Sequence, residues 1–464
     1  MMSPGEAGYA ACRVDDEAWS DEAGLMMRGL MTLAGLFCTA MGSAQYGRAQ
    51  DLPPGVLLLS RVENHIKGEL QHLSAVTCLE TVQREEQHPP SKMRPLDTVR
   101  LEVLTNGDKE LFASPGDRKF SEEPPLSYAG SGMLGNGLFG PYLKNILLNG
   151  NASTKYKGEE QINGRRLARY DYELDRTFSG QSIEIPEGSG SVGLKGSFWV
   201  DPRTYDLIRL DLNAYDMPPT LPLTELATSI HYGRTIIGNQ LNVLLPETAD
   251  VRMVKNSGEI SQDQVDFTHC RVFGAESTVN FNPSGAAGAS FNAASVDDTM
   301  RPLPGGLKVA VKLRTRISGD TTVGTLIDGL VASDAKEKHA VIIPAGSPVR
   351  GRVRRLERYT DPFPYFVVGL EFTEVEIQGI RHIFYADLVK IDSAPGVEET
   401  LLTGNDGVAA PRPDLQAPSS VTTLTKERIF VHNLPGVASF FVLGDKLDLP
   451  QNFRTVWKTR ALKP

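Results

Sequence analysis

The chain has 464 residues, 40% of them hydrophobic and 23% charged, with a net charge of −9. That length predicts two or three domains with ordinary apolar cores, and the acidic balance argues against a general nucleic-acid binder. With 44 glycines and 30 prolines, many turns and therefore a lean toward β structure are expected.

The first 44 residues differ from the rest. An acidic, irregular stretch over 1–25 precedes MMRGLMTLAGLFCTAMGSAQ, where Arg28 supplies a positive n-region, Gly29 to Met41 an apolar h-region and Gly42-Ser43-Ala44 a small-residue cleavage site. The pattern predicts an export signal cleaved after Ala44, with Met26 or Met27 as the working start, and hence a periplasmic or otherwise exported protein. The alternative is an N-terminal anchor, disfavoured by an apolar run that is short and broken by small and polar residues. Phe37 before Cys38 argues against lipidation there. Cleavage removes Cys12 and Cys38 and leaves Cys78 and Cys270. An even pair in an exported protein predicts a disulfide, two buried free thiols being the alternative.

From Gly55 to Leu73 the residues Leu59, Val62, Ile66, Leu70 and Leu73 recur at helical steps, and Pro54 suits the start of that helix. SAVTCLETVQRE reads as a strand with Val76, Cys78, Glu80 and Val82 on one face. Three hairpins follow, turned at Asn106-Gly107, at Asn163-Gly164 and at residues 201–205. A long Gly- and Pro-containing loop and a short helix near Pro141 to Leu148 separate the first two. ATSIHYGRTI, NVLLPETADVRMVK and QVDFTHCRVF continue as long strands. Together these predict an α+β N-terminal domain over 52–281, a curved antiparallel half-barrel sheet with covering helices. Residues 282–306, small and aperiodic, read as a flexible linker. In LKVAVKLRTRI, Leu307, Val309, Val311 and Leu313 share a face opposite Lys308 and Lys312. That strand, further ones in AVIIPAGSPVRGRVRRLERY, YFVVGLEFTEVEI and HIFYADLVKID, and a last set in RIFVHN, SFFVLG and FRTVWKTR predict a mainly-β barrel or sandwich over 307–464. It carries a disordered insertion over 393–420.

GSFWVDPRTYDLIRLDL, Gly196 to Leu212, sets Asp201, Asp206 and Asp211 beside Arg203 and Arg209, a density that suggests acid–base chemistry. Pro202 and the locally bonding side chains of Asp201 and Thr204 make a turn of it instead. Arg209 and Asp211 then share a solvated face, opposite Ile208, Leu210 and Leu212 as candidate apolar lining or plain core. Gly130-Ser131-Gly132-Met133-Leu134-Gly135 fits a dinucleotide pattern but lacks the preceding strand and the following helix. His65 and His72 lie seven apart on the first helix, too far for an ordinary two-ligand clamp. His269 and Cys270 are strand neighbours and point to opposite faces. No zinc spacing, H-E-x-x-H or G-x-S-x-G occurs, and Asp320-Thr321-Thr322 reads as a turn. No catalytic residue, metal site or cofactor is therefore expected. Arg350, Arg352 and Arg354 alternate on one strand face, either as a contact for an anionic partner such as lipid headgroups or as a solvated face resisting edge pairing.

Phe198-Trp199-Val200-Asp201-Pro202 with Thr204, Leu207 and Arg209, behind a leading helix and strand, resembles the aromatic–x–Val/Ile–Asp–Pro–x–Thr hairpin of the outer-membrane lipoprotein carrier and sorting superfamily. The resemblance covers about Leu52 to Phe281. It implies an open half-barrel closed by helices that holds acyl chains in an apolar concavity and has no catalytic residues. The strands "TCLE…", "GSFWVD" and "F…CR" are also similar to an uncharacterised family of secreted bacterial proteins. Ile343-Pro344-Ala345-Gly346-Ser347 leading to Gly351, after an Asp320-containing turn, loosely resembles the β-barrel of type IV secretion outer-membrane-core proteins, without their transmembrane anchor and proline-rich spacer. The expected function is that of a non-enzymatic envelope protein binding a lipid, lipoprotein or other apolar ligand in the half-barrel. One alternative is a structural or assembly module docking other envelope proteins, its half-barrel filled by its own side chains. The other is an unrecognised hydrolase.

Overall fold

The computed structural model describes residues 53–273, 300–402 and 437–461, apart from 74–75, 107–108, 118, 130–132, 186, 239–240, 361–362 and 393. The export signal, most of the expected linker, most of the expected insertion and the strand RIFVHN lie outside the described residues. Among those described, no helix is long and apolar enough to cross a membrane.

Alternating apolar runs joined by tight turns, one of them at Asn163-Gly164, build the first sheet, a curled half-barrel. Its early strands are β1 (Val76–Gln87), β2 (Arg94–Asn106), β3 (Lys109–Ala113), β4 (Ser153–Ile162) and β5 (Arg165–Leu174). A separate two-stranded ribbon, β6 (Ser182–Ile185) with β7 (Gly188–Ser191), interrupts them. Then come β8 (Gly193–Val200), β9 (Leu207–Tyr215), β10 (Leu223–Ile237), β11 (Leu241–Lys255) and β12 (Ile260–Val272). The order is β3-β2-β1-β12-β11-β10-β9-β8-β5-β4, antiparallel throughout.

Two covers fill the inner face. Helix α1 (Pro54–Leu73) buries Val62, Ile66 and Leu73. Tyr170 Oη donates to the Gly55 carbonyl at 2.7 Å, and a Cβ on Gly55 would lie 2.6 Å from the Tyr156 ring, so glycine is needed there. The second cover is α2 (Pro141–Leu143) running into a π turn, Lys144–Leu148. Phe139, Leu143, Ile146 and Leu147 are buried in one core with Phe198, Leu210, Val243 and Phe267 of the sheet.

Register decides which side chains line that face. A bulge at Trp199/Val200 sets Val200 opposite Leu207 and Trp199 opposite Arg209. Leu207, Leu210 and Leu212 are therefore buried, while Ile208 is half-exposed. The expected trio of Ile208, Leu210 and Leu212 is corrected at its first member, because the extra residue turns Ile208 off the inner face.

A second bulge serves the cysteines. β1 and β12, the first and last strands of the sheet in sequence, pair directly, with Thr77 opposite Arg271 and Leu79 opposite Thr268. His269 takes a left-handed conformation, φ 51°, within the extra residues opposite Cys78, and Cys78 and Cys270 are joined by a disulfide.

The second sheet also has ten strands. Its path runs Arg301–Pro302, Ile380–Ile383, Tyr365–Ile377, Pro348–Tyr359, Leu326–Val331, Lys308–Leu313, Arg454–Thr459 and Ala386–Ile391. Ala438–Leu443 adds to Tyr365–Ile377, and Val397–Leu402 adds to Ala438–Leu443. Leu307, Val309, Val311, Leu313 and Trp457 are buried in its core. Two expected boundaries shift. Arg301–Pro302, assigned to the linker, pairs in parallel with Ile380–Ile383, and Leu303 is buried behind it. Val397–Leu402, assigned to the insertion, is a strand.

The two sheets meet at β2. Val323 N donates to Thr98 O at 2.8 Å and Arg100 N donates to Val323 O at 3.0 Å. Gly324, φ 93°, follows at a place where a Cβ would lie 2.7 Å from Arg100 O. The described residues of both sheets accordingly belong to one compact unit.

The disulfide joins strands 192 residues apart in sequence, so it constrains the unfolded chain strongly. Replacing Cys78 and Cys270 together by Ser is expected to lower the unfolding free energy by about 2–5 kcal/mol. Non-reducing urea titration measures this, and an unchanged midpoint would show that the bond constrains nothing.

Candidate functional site

The acid-rich hairpin between β8 and β9 is a structural knot. Asp201 is buried; its Oδ1 accepts from Arg203 N at 2.9 Å and its Oδ2 from Arg165 at 3.2 Å. Asp206 is also buried, which corrects the expected solvated turn: both aspartates are held inside by partners from other elements. Asp206 accepts from Arg234 Nε at 3.0 Å and from Arg234 Nη2 at 2.5 Å, and lies 2.9 Å from His65 Nε2. Burial pushes its carboxyl up, but the hydrogen bonds from Arg234 and His65 outweigh this and hold it below the usual carboxylate range. Glu69, one helical turn after His65, accepts from Arg234 at 2.8 Å and from Leu244 N at 3.0 Å.

His65, Glu69 and Asp206 are metal-ligand types within 4.8 Å of one another. The Arg234 Nη2 lies within 3.0 Å of all three, so the chain's own cation takes the central place. The arrangement is a clamp tying α1 to the hairpin, β10 and β11. His65 and Asp206 were visible as individual candidates; Arg234 carried no signal, because it lies on a strand 28 residues past the turn.

A second polar group sits on the inner face. Arg84 and Asp97 face each other across β1 and β2 in a fully buried pair, with contacts of 2.7 and 2.6 Å. Asp263 stands opposite Arg84 on β12, is 1% exposed, and has no hydrogen-bond partner for Oδ2 among the described residues. Burial raises its carboxyl well above the ordinary range. Glu80 is raised likewise, by burial first and then by Glu110 and Asp263. A strand parity that put Glu80 among Val76, Cys78 and Val82 was readable in the sequence, and Arg84 continues it.

Glu110, on edge strand β3, holds the second cover. The residue keeps some contact with solvent, but its carboxyl oxygens accept from Gly137 N at 2.5 Å and Phe139 N at 2.6 Å. Burial raises it to about 7, the two amide donors only partly offsetting this. Tyr142 and Tyr232, both raised by burial and by Glu110, face the same carboxyl. Tyr232 Oη is buried without a partner among the described residues.

The arginine row is corrected. Arg350 pairs with Glu374 at 2.6 Å and Glu376 at 3.3 Å. Arg352 is 8% exposed and donates to Pro115 O, Gly324 O and Asp117. Arg354 pairs with Glu371 at 2.5 Å, donates to Ser127 O and lies over the Tyr128 ring. Residues 115, 117, 127 and 128 of the first half of the chain contact Arg352 and Arg354, so these two are not a free anion contact, while Arg350 stays part-exposed beside its glutamates.

No family model matches the chain, and no curated protein does. Among solved structures, the chain is similar to a protein domain from Vibrio parahaemolyticus described as outer membrane lipoprotein-sorting, at 12% identity and a TM-score of 0.26, over 48% of this chain and 95% of that one. It is similar to a LolA superfamily protein from Nitrosomonas europaea at 14% identity and a TM-score of 0.24, over 45% and 93%. It is also similar to ComB10 of the Com type IV secretion system of Helicobacter pylori at 11% identity and a TM-score of 0.19, over 34% and 86%. These are the two groups that the hairpin and the Ile343–Ser347 stretch resemble.

Because the folded pKa of Glu110 is raised, its contribution favours the covered state fully below the ordinary glutamate pKa and is lost as pH rises through about 7. Hydrogen exchange over residues 137–148 is therefore expected to accelerate between pH 6 and 8 after correction for intrinsic rates. Glu110→Gln should flatten that rise; an equally steep rise in the variant would assign it to another group.

Proposed function

We infer that this is a non-enzymatic, exported envelope protein that binds an apolar chain, such as the acyl part of a lipid or lipoprotein, on the inner face of the first sheet. One observation carries the reading. The apolar inner face is covered by residues 137–148, whose backbone–backbone hydrogen bonds among the described residues run locally within 137–149, which Glu110 ties down at two amides, and from which Asn145 Nδ2 donates to the Ser179 carbonyl at 3.4 Å. Such a cover can leave without breaking a strand ladder. The buried Phe139, Leu143, Ile146 and Leu147 each gain about 1.5–3 kcal/mol from burial. An acyl chain entering in their place regains about 0.8 kcal/mol per methylene, so the exchange is close to balanced for a chain of ordinary length. The partnerless Tyr232 hydroxyl on the same face supplies a polar contact for the ligand's head or ester group.

The second reading, a structural module with a permanently filled half-barrel, is favoured by the completeness of the filling: the inner-face residues and both covers form one buried core. A lock distinguishes the two. A Cβ built on Gly140 lies 3.5 Å from Thr105 Oγ1, so Gly140→Cys with Thr105→Cys can bridge cover and sheet. Wild type and both single variants are expected to take up a fluorescent fatty acid, and the oxidised double variant to lose at least tenfold in affinity. Uptake by the locked protein equal to wild type, or none by wild type, would leave the filled module as the reading.

A further inference from the structure

Most arginines at the junction of the two sheets have carboxylates: Arg84 has Asp97, Arg350 has Glu374, Arg352 has Asp117, Arg354 has Glu371 and Arg355 has Glu357. One place departs from this. An open pocket with a cavity volume of about 40 Å³ lies between the β1–β2 turn and the end of Pro348–Tyr359. Lys92 and Arg94 line it from the turn, and Arg358 and Thr360 from the second sheet. Arg358 is placed by its stacking over Phe366, with the guanidinium carbon 5.9 Å from the ring centroid. Among the described residues none of Lys92, Arg94 and Arg358 has a carboxylate within ion-pair distance. The acid in the wall, Glu86, is engaged with His88 at 3.2 Å, and His88 also reaches Glu259 at 3.1 Å.

We propose that this seam pocket binds a phosphate group. Three cations line one concavity of a chain whose net charge is −9, and among the described residues none of them is ion-paired, so their mutual repulsion favours an anion there. Two guanidinium forks and an ammonium, with the Thr360 hydroxyl beside them, match the several acceptor oxygens and the charge of a phosphate mono- or diester. The pocket draws one wall from each half of the chain, so an occupant ties the two sheets together. The proposal is independent of the apolar-ligand reading, since none of these residues lies under the cover of the first sheet. The phosphate has two possible sources, a soluble phosphate ester or an anionic lipid headgroup.

The test uses the full chain, with glycerol phosphate followed by calorimetry and with phosphatidylglycerol vesicles followed by flotation against phosphatidylcholine vesicles. Wild type is expected to bind at least one of the two, more weakly as salt rises. Arg94→Gln with Arg358→Gln should bind at least tenfold more weakly, while Arg314→Gln, an exposed cation elsewhere, binds as wild type. Lys92→Gln, which touches no packed ring, serves as a second variant should the double variant melt early. Binding to vesicles alone assigns the headgroup, and binding to glycerol phosphate assigns the soluble ester. Wild type binding neither, or all variants binding alike, overturns the proposal.

Discussion

A curled antiparallel sheet has a concave apolar face that water cannot be left to cover. In this protein the face carries Phe198, Leu207, Leu210, Val243, Val265 and Phe267, and every one of them is buried. Two segments outside the sheet do the covering, and they are held in different ways. Helix α1 is fastened by a network in which Arg234 meets Glu69, Asp206 and His65 at once. Residues 137–148 are held by their apolar side chains, by the Glu110 carboxyl at two amides and by Asn145 Nδ2 donating to the Ser179 carbonyl. On the proposed reading, α1 is the fixed part of the cover and 137–148 the part that gives way to a ligand.

The polar chemistry follows from the same geometry. Charged groups on the inner face are taken out of water, so each needs a partner or a proton. Arg84 and Asp97 satisfy each other, while Asp263, Glu80 and Glu110 are all pushed upward by burial. On the outer face the same residue types behave differently. Arg169 and Arg209 lie over Trp199 and pair with Asp171 and Asp211, leaving the carboxylates partly exposed. Acid density alone therefore said little about chemistry; the face on which each acid stands decides its state.

Much of the fold was legible because it is local. The strands flanking Asn106-Gly107 pair as a hairpin, Asn163-Gly164 turns the one it signalled, the Leu59-to-Leu73 stripe is the core-facing side of α1, and Leu307, Val309, Val311 and Leu313 share one buried face. What escaped depends on distant pairing or on single inserted residues. The bulge at Trp199/Val200 exchanges Ile208 for Leu207, a shift that alternation alone does not reveal. The arginines at 350, 352 and 354 looked free because their partners at 115–117, 127 and 371–376 are set by how the sheets meet. In the seam pocket the cations without an ion-paired carboxylate among the described residues are Lys92 and Arg94 on one turn and Arg358 on the second sheet, two stretches with no common motif.

The central claim is that the inner face exchanges its own cover for an apolar chain. Native mass spectrometry of the protein, expressed for export and purified without detergent, tests it most directly. The account predicts a population heavier than the bare chain by the mass of a lipid or acylated molecule, lost on collisional activation. A bare mass in repeated preparations, unchanged after incubation with lipid, would contradict it.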